Sequence, residues 1–151
     1  MATLSNILKA DTGALSATKG SYRIDKAILT PTEVKALFST PISLVVSQGA
    51  GTVINVHRIT FASTFLTTAY AGANNLEFRY TDASGAKVTA DIAAATLNFT
   101  TGTKYALVAG VTTELTQVPA SPIVVRVPTA NPTAGLSTVT FYIEYSVLTA
   151  P

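Results

Sequence analysis

Cysteine and tryptophan are absent and histidine occurs once in 151 residues. Without thiols the chain can build neither a disulfide framework nor a thiolate metal site, so its stability must come from a core or from partners. Acid–base and nucleophilic catalysis near neutral pH usually turns on a positioned histidine, and here only His57 could serve. It stands mid-strand in VINVHRITF, and no Gly-x-Ser-x-Gly elbow occurs anywhere in the chain. A structural histidine, bonded at an inter-strand or subunit contact, is expected, and no enzymatic activity, cofactor or metal site.

Charge is scarce as well. Asp, Glu, Lys and Arg make up 12% of the residues, about half the usual share of a soluble domain, and the mean hydropathy is +0.39. Too little charge is present to cover a free surface, which leaves lipid or protein contact. The apolar stretches, Leu44–Val46 and Ile123–Val125 among them, are strand-sized, far short of the roughly 18 residues a membrane span requires. Protein contact is therefore expected, and no membrane. The first residues, MATLSNILKADTG, place Lys9 after the apolar positions and lack a signal-peptide core. Without export the sequon Asn98-Phe99-Thr100 has no meaning. Net charge is +2 with the ten basic residues scattered, so no nucleic-acid stripe forms. The eight acids form no Asp-x-Asp-x-Asp cluster. Asp82, in TDASG, reads as a turn residue, and Gly49 to Gly51 lack the Lys-Ser/Thr and helix of a phosphate loop.

What the chain does have is threonine, 25 residues, and alanine, 23, with Thr recurring beside Val, Ile, Phe and Tyr in short runs that suit pleated strands. Val139 to Val147 alternates strictly: Val139, Phe141, Ile143, Tyr145 and Val147 share one face, Thr140, Tyr142, Glu144 and Ser146 the other. Ile123 to Val127 repeats this in miniature, and PTANPTAG between the two reads as a long turn joining an antiparallel pair. Leu76 to Tyr80 puts Glu77 and Arg79 outward. Glu77 with Arg79 and Arg126 with Glu144 read as outer-face charges. Ile42 to Ser47 and Val53 to Phe61 flank QGAG as a hairpin. In the second of these, Ile54 and Val56 fall out of phase with Ile59 and Phe61, which requires a bulge or cover on both faces.

Thr30, Pro31 and Glu33 spell a capping box with proline at the first helical position, predicting a short helix that ends near Phe38. Over Ile92 to Leu97, where Ala is frequent, a second short helical turn is expected, with strand or loop as the alternatives. Residues 1–20 read as an arm and 21–151 as one domain, all-β, an antiparallel β-sandwich or jelly-roll-like barrel. Most aromatics occupy core-facing positions. Tyr70, Tyr105 and Tyr142 are the exceptions, and because sandwiches often carry lectin sites in their loops a carbohydrate-binding module stays open.

Three stretches, TPISLVVSQGAGTVINVHRITF, TTAYAGANNLEFRY and NPTAGLSTVTFYIEYSVL, together resemble small auxiliary virion proteins of tailed bacteriophages, of the capsid decoration or cement type. The resemblance covers about residues 30–148 and implies a β-sandwich or jelly-roll-like subunit, commonly trimeric, that binds the major capsid protein or other virion proteins over capsomer junctions. It implies a virion location, with assembly in the bacterial host cytoplasm; a tail, baseplate or fibre component is the alternative. The arm is the expected anchor: Leu4, Ile7 and Leu8 would bury on a neighbour while Lys9 and Lys19 attract an acidic surface.

Overall fold

The computed structural model describes residues 21–72, 75–111 and 118–149. The expected arm and its contact residues Leu4, Ile7, Leu8, Lys9 and Lys19 lie outside the described residues. The described chain is all-β with two short helices. In order come β1 (Ser21–Leu29), α1 (Pro31–Val34), β2 (Ile42–Val45), β3 (Thr52–Thr64), β4 (Tyr70–Ala71), β5 (Glu77–Tyr80), α2 (Ala94–Leu97), β6 (Thr103–Ala109), β7 (Ile123–Arg126), β8 (Thr133–Ala134) and β9 (Val139–Thr149).

Two sheets face each other over one core. The larger has the order β1-β9-β3-β6 and the smaller β2-β7-β5, all neighbours antiparallel, while β4 and β8 form a two-stranded clip. An isolated bridge between Arg79 and Lys87 extends the smaller sheet beyond β5. Because β1, β2 and β3 alternate between the sheets, and β6, β7 and β9 do so again, the chain winds as a jelly roll.

This winding overturns two local expectations. Ile42 to Ser47 and Val53 to Phe61 are not a hairpin: β2 pairs with β7, and β3 with β9 and β6. QGAG is a crossing between layers. Likewise β7 and β9 do not pair with each other, and PTANPTAG carries the chain from one sheet to the other while contributing β8 to the clip. Gly135 is needed there, since a Cβ on it would lie 2.0 Å from the Tyr70 ring.

The phase change in β3 resolves as a bulge. Pairing with β9 shifts register between Val56 and Arg58, leaving His57 as the extra residue. Ile54, Val56, Ile59 and Phe61 consequently oppose Val147, Tyr145, Ile143 and Phe141, so the bulge puts all of them on the core face. Phe141 sits at the centre. It meets Phe61 of its own sheet edge-on, with centroids 5.9 Å apart, and Phe78 of the other sheet at 5.6 Å. The Tyr80 hydroxyl donates to the Ile54 carbonyl across the layers, and desolvation pushes it up to about 12.

The capping box is present: Thr30 Oγ1 accepts from the Glu33 amide at 3.3 Å and Glu33 Oε2 accepts from the Thr30 amide at 2.7 Å. The α-helix itself stops at Val34, earlier than Phe38, and the chain continues in hydrogen-bonded turns. The tightening starts at Ala36 and Leu37, whose amides bond the Glu33 and Val34 carbonyls at 3.0 and 3.4 Å, and Asn131 Oδ1 then accepts from the amides of Phe38 and Ser39 at 2.9 and 3.2 Å. The second helical turn forms inside the expected span.

Candidate protein-interaction surface

Antiparallel pairing puts directly opposite residues on the same face, so the register defines the outer face of the larger sheet row by row. Ile28, Thr140, Ala62 and Tyr105 form one row across β1, β9, β3 and β6. Lys26, Tyr142, Thr60 and Leu107 form the next, then Ile24, Glu144, Arg58 and Ala109, and Tyr22 lies opposite Ser146 beyond them. Six of the eleven exposed large apolar residues among those described lie here: Tyr22, Ile24, Ile28, Tyr105, Leu107 and Tyr142. The remaining five are dispersed over loops and ends, so this face is where unpaired apolar surface concentrates.

Polar contacts cross the face between strands. Glu144 accepts from Arg58 Nε at 2.6 Å and from the Tyr22 hydroxyl. Those two bonds, Tyr22 first and Arg58 next, hold the Glu144 carboxyl below its ordinary range, and the same bond to Glu144 raises the Tyr22 hydroxyl. Lys26 lies 5.7 Å from the centroid of the Tyr142 ring, a cation–π distance. His57, bulged onto the surface, stacks on Tyr22 with centroids 5.6 Å apart, and its Nε2 is 3.0 Å from Ser146 Oγ. It bridges β3 and β9 as an inter-strand histidine, and among the described residues no carboxylate hydrogen-bonds its other ring nitrogen to orient it as a base.

Exposure of the flagged aromatics divides. Tyr105 is 70% exposed, beside a shallow depression of about 150 Å³ lined by Ala62, Thr64, Thr103 and Thr140 among others. Tyr142 is partly exposed on the same face. Tyr70, expected to be available to ligands, is buried instead: its hydroxyl donates to the Ser137 carbonyl and desolvation pushes it up to about 12. Its place in the β4–β8 clip accounts for this.

The smaller sheet corrects the charge assignments. Glu77 and Arg79 do point away from the core, yet Glu77 is only 6% exposed. Arg79 Nε and Lys87 Nζ each approach its carboxylate at 2.9 Å, with Arg126 Nε at 3.7 Å. Arg126, on β7, is therefore the neighbour of Glu77 and stands in the opposite sheet from Glu144. Burial alone would push the Glu77 carboxyl up; the bonds from Arg79 and Lys87 outweigh it and hold the group below its ordinary value. Asp82 behaves as a turn residue, its Oδ1 accepting from the Ser84 amide at 2.7 Å and so held low.

Among the described residues no group of three or more His, Asp or Glu is placed to hold a metal ion, and no helix is long and apolar enough to cross a membrane. The contribution of β1 was missed by sequence reasoning, which left residues 21–29 without a strand assignment. Its signal was the alternation of Tyr22, Ile24, Lys26 and Ile28 with Arg23, Asp25 and Ala27, whose apolar half faces outward.

No protein-family model matches the chain, and no curated protein matches it. Among solved structures, a chain from one described as "Cyanophage Pam1 capsid asymmetric unit" is similar at a TM-score of 0.45 and 16% identity, over 87% of this chain and 86% of that one.

Proposed function

We propose that this protein is a non-enzymatic structural subunit of a bacteriophage virion, a capsid decoration or cement protein that stabilises the shell through protein–protein contacts and works as a homo-oligomer. The observation that carries this reading is the outer face of the four-stranded sheet. With only 12% charged residues, the chain presents Ile24, Ile28, Leu107 and Tyr105 to solvent on one continuous surface, and an assembly supplies the cover that a free monomer lacks. The resemblance of the three stretches to auxiliary virion proteins supplies the setting, with the major capsid protein as partner.

Quantifying the protein in purified particles tests the reading. A copy number comparable with capsomers is expected. Few copies at one vertex would mean a tail, baseplate or fibre component, and absence from particles would sink a virion role altogether.

Residues 1–20 are proposed to tether the domain to the shell. A chain beginning at Ser21 is expected to keep its thermal transition and to bind particles more weakly than the full chain, with the difference narrowing as salt is raised if Lys9 and Lys19 contribute. Undiminished binding would move attachment onto the sheet face, and loss of the transition would make the segment part of the core.

A second reading has one observation in its favour, the exposed Tyr105 ring beside the threonine-lined depression, which suits stacking on a sugar. Glycan-array binding abolished by Tyr105→Ala would support a carbohydrate-binding module; an array without signal would remove it.

A further inference from the structure

The strand β1 pairs with β9 on one side over all nine of its residues, without a bulge. Among the described residues no backbone group pairs with its other side. A long, regular open edge is a template for another strand unless its side chains forbid it, and the charges on β1 decide which strand it can accept. We propose that β1 pairs antiparallel with β1 of a second copy about a two-fold axis at Ile24, joining two four-stranded sheets into one of eight. This rests on the assembly reading only for the expectation that the protein is a homo-oligomer, and where the resemblance implies a trimer it places a two-fold contact instead.

The register follows from two conditions. Continuous faces require that an outer-face residue oppose an outer-face residue, so a two-fold pairing must be centred on a residue and not between two. Centring on Arg23, Asp25 or Lys26 opposes each of these to its own copy, which like charges disfavour. Centring on Ile24 opposes Arg23 to Asp25 of the second copy, twice by symmetry, and Tyr22 to Lys26, also twice. Ile24, 61% exposed in the single chain, then meets its own equivalent on the axis. Centring on Ala27 would avoid like charges as well, but it opposes Asp25 to Leu29 and Lys26 to Ile28 and pairs no unlike charges. The two-fold at Ile24 is thus the one register that matches every charge of the strand's first half, and two-fold contacts are the commonest among homo-oligomers.

The absence of cysteine makes the test clean. Opposed residues in antiparallel strands have Cα atoms about 4.5–5.5 Å apart, inside the roughly 4.4–6.8 Å that a disulfide spans. Full-length Ile24→Cys, oxidised at low micromolar concentration, is expected to run as a covalent dimer. Leu66→Cys, similarly exposed but on the loop that follows β3, should stay monomeric under the same denaturing conditions. Arg23→Asp, which sets a new carboxylate against Asp25 at both ends, should weaken dimerisation roughly tenfold by sedimentation, and the exchange Arg23→Asp with Asp25→Arg should restore it. Far-UV circular dichroism checks that each variant is folded. A folded Ile24→Cys protein that fails to cross-link, or an Arg23→Asp variant that associates like the parent, overturns the interface. Incorporation into particles is scored separately: Ile24→Cys protein that cross-links yet is absent from particles keeps the interface and sinks the virion role, and the converse result does the reverse.

Discussion

Phe141→Ala is expected to lower the stability of the fold by about 3–5 kcal/mol, the usual cost of emptying a buried aromatic site. The ring is fully buried and touches both layers, edge-on to Phe61 and to Phe78. Its loss removes the transfer free energy of the side chain and two aromatic contacts, each worth roughly 0.5–1.5 kcal/mol in such pairs. The backbone cannot close the gap, since β9 is held on both sides by β1 and β3. Glu144→Ala, three residues on and on the opposite face, should cost about 1 kcal/mol or less, because its partner Arg58 is half exposed and returns to water. Urea titration of the two variants checks the contrast. Equal, small losses would mean that the face assignment of β9 is wrong.

Glu77→Gln is expected to cost about 2–4 kcal/mol, somewhat below the full penalty for breaking a buried ion pair because Lys87 keeps Asp91 as a partner at 2.9 Å. The substitution keeps the shape and removes the one carboxylate on which Arg79, Lys87 and Arg126 converge. Two of those cations stay tethered to backbone carbonyls, Arg79 to Gly85 and Arg126 to Pro128, and so remain close together after their counter-charge has gone. The same group sets an acid limit. Its folded-state titration lies below the ordinary 4.5, so its stabilisation is complete above that pH and is lost as pH falls through the lower value. The gap in thermal midpoint between the parent and Glu77→Gln should therefore narrow on acidification below about pH 4.5. A gap independent of pH would show that the charge on Glu77 contributes nothing.

What the amino acids disclose and what they hide divides along the range of the interactions. The capping box, the turn at Asp82, the α2 turn and the faces of β9 are set by residues a few positions apart, and each stands in the fold where local chemistry put it. The bulge at His57 was visible too, because a phase slip between Val56 and Ile59 cannot be reconciled with one buried face. Pairing partners were not visible. A glycine turn between two apolar runs looks the same whether the chain doubles back within a sheet or crosses to the facing one, and in this jelly roll QGAG and PTANPTAG both cross. Outward position is likewise no guarantee of solvent: Glu77 lies beneath cations delivered by β7 and by the segment after β5. On β1 Tyr22, Ile24 and Ile28 face away from the core while Leu29 enters it, so a reading that assigns every apolar face inward passes over this exposed apolar face.

The position of β9 in the larger sheet has a consequence for how the molecule is made. It is the last strand in chain order, and it lies between β1 and β3. During synthesis β1 and β3 therefore exist first as strands without the neighbour that joins them, and the pairing of Ser21 with Val147 closes a loop of more than a hundred residues. Loop-closure entropy of that kind must be met before the contacts that offset it can form, and sheets built from such distant pairings fold slowly. Until Val139–Thr149 has been made, Ile54, Ile59, Phe61 and Phe78 have no complete core to enter. Until that strand is made, the apolar strands that precede it have only part of their partners, so exposure of sticky surface lasts to the end of the described chain.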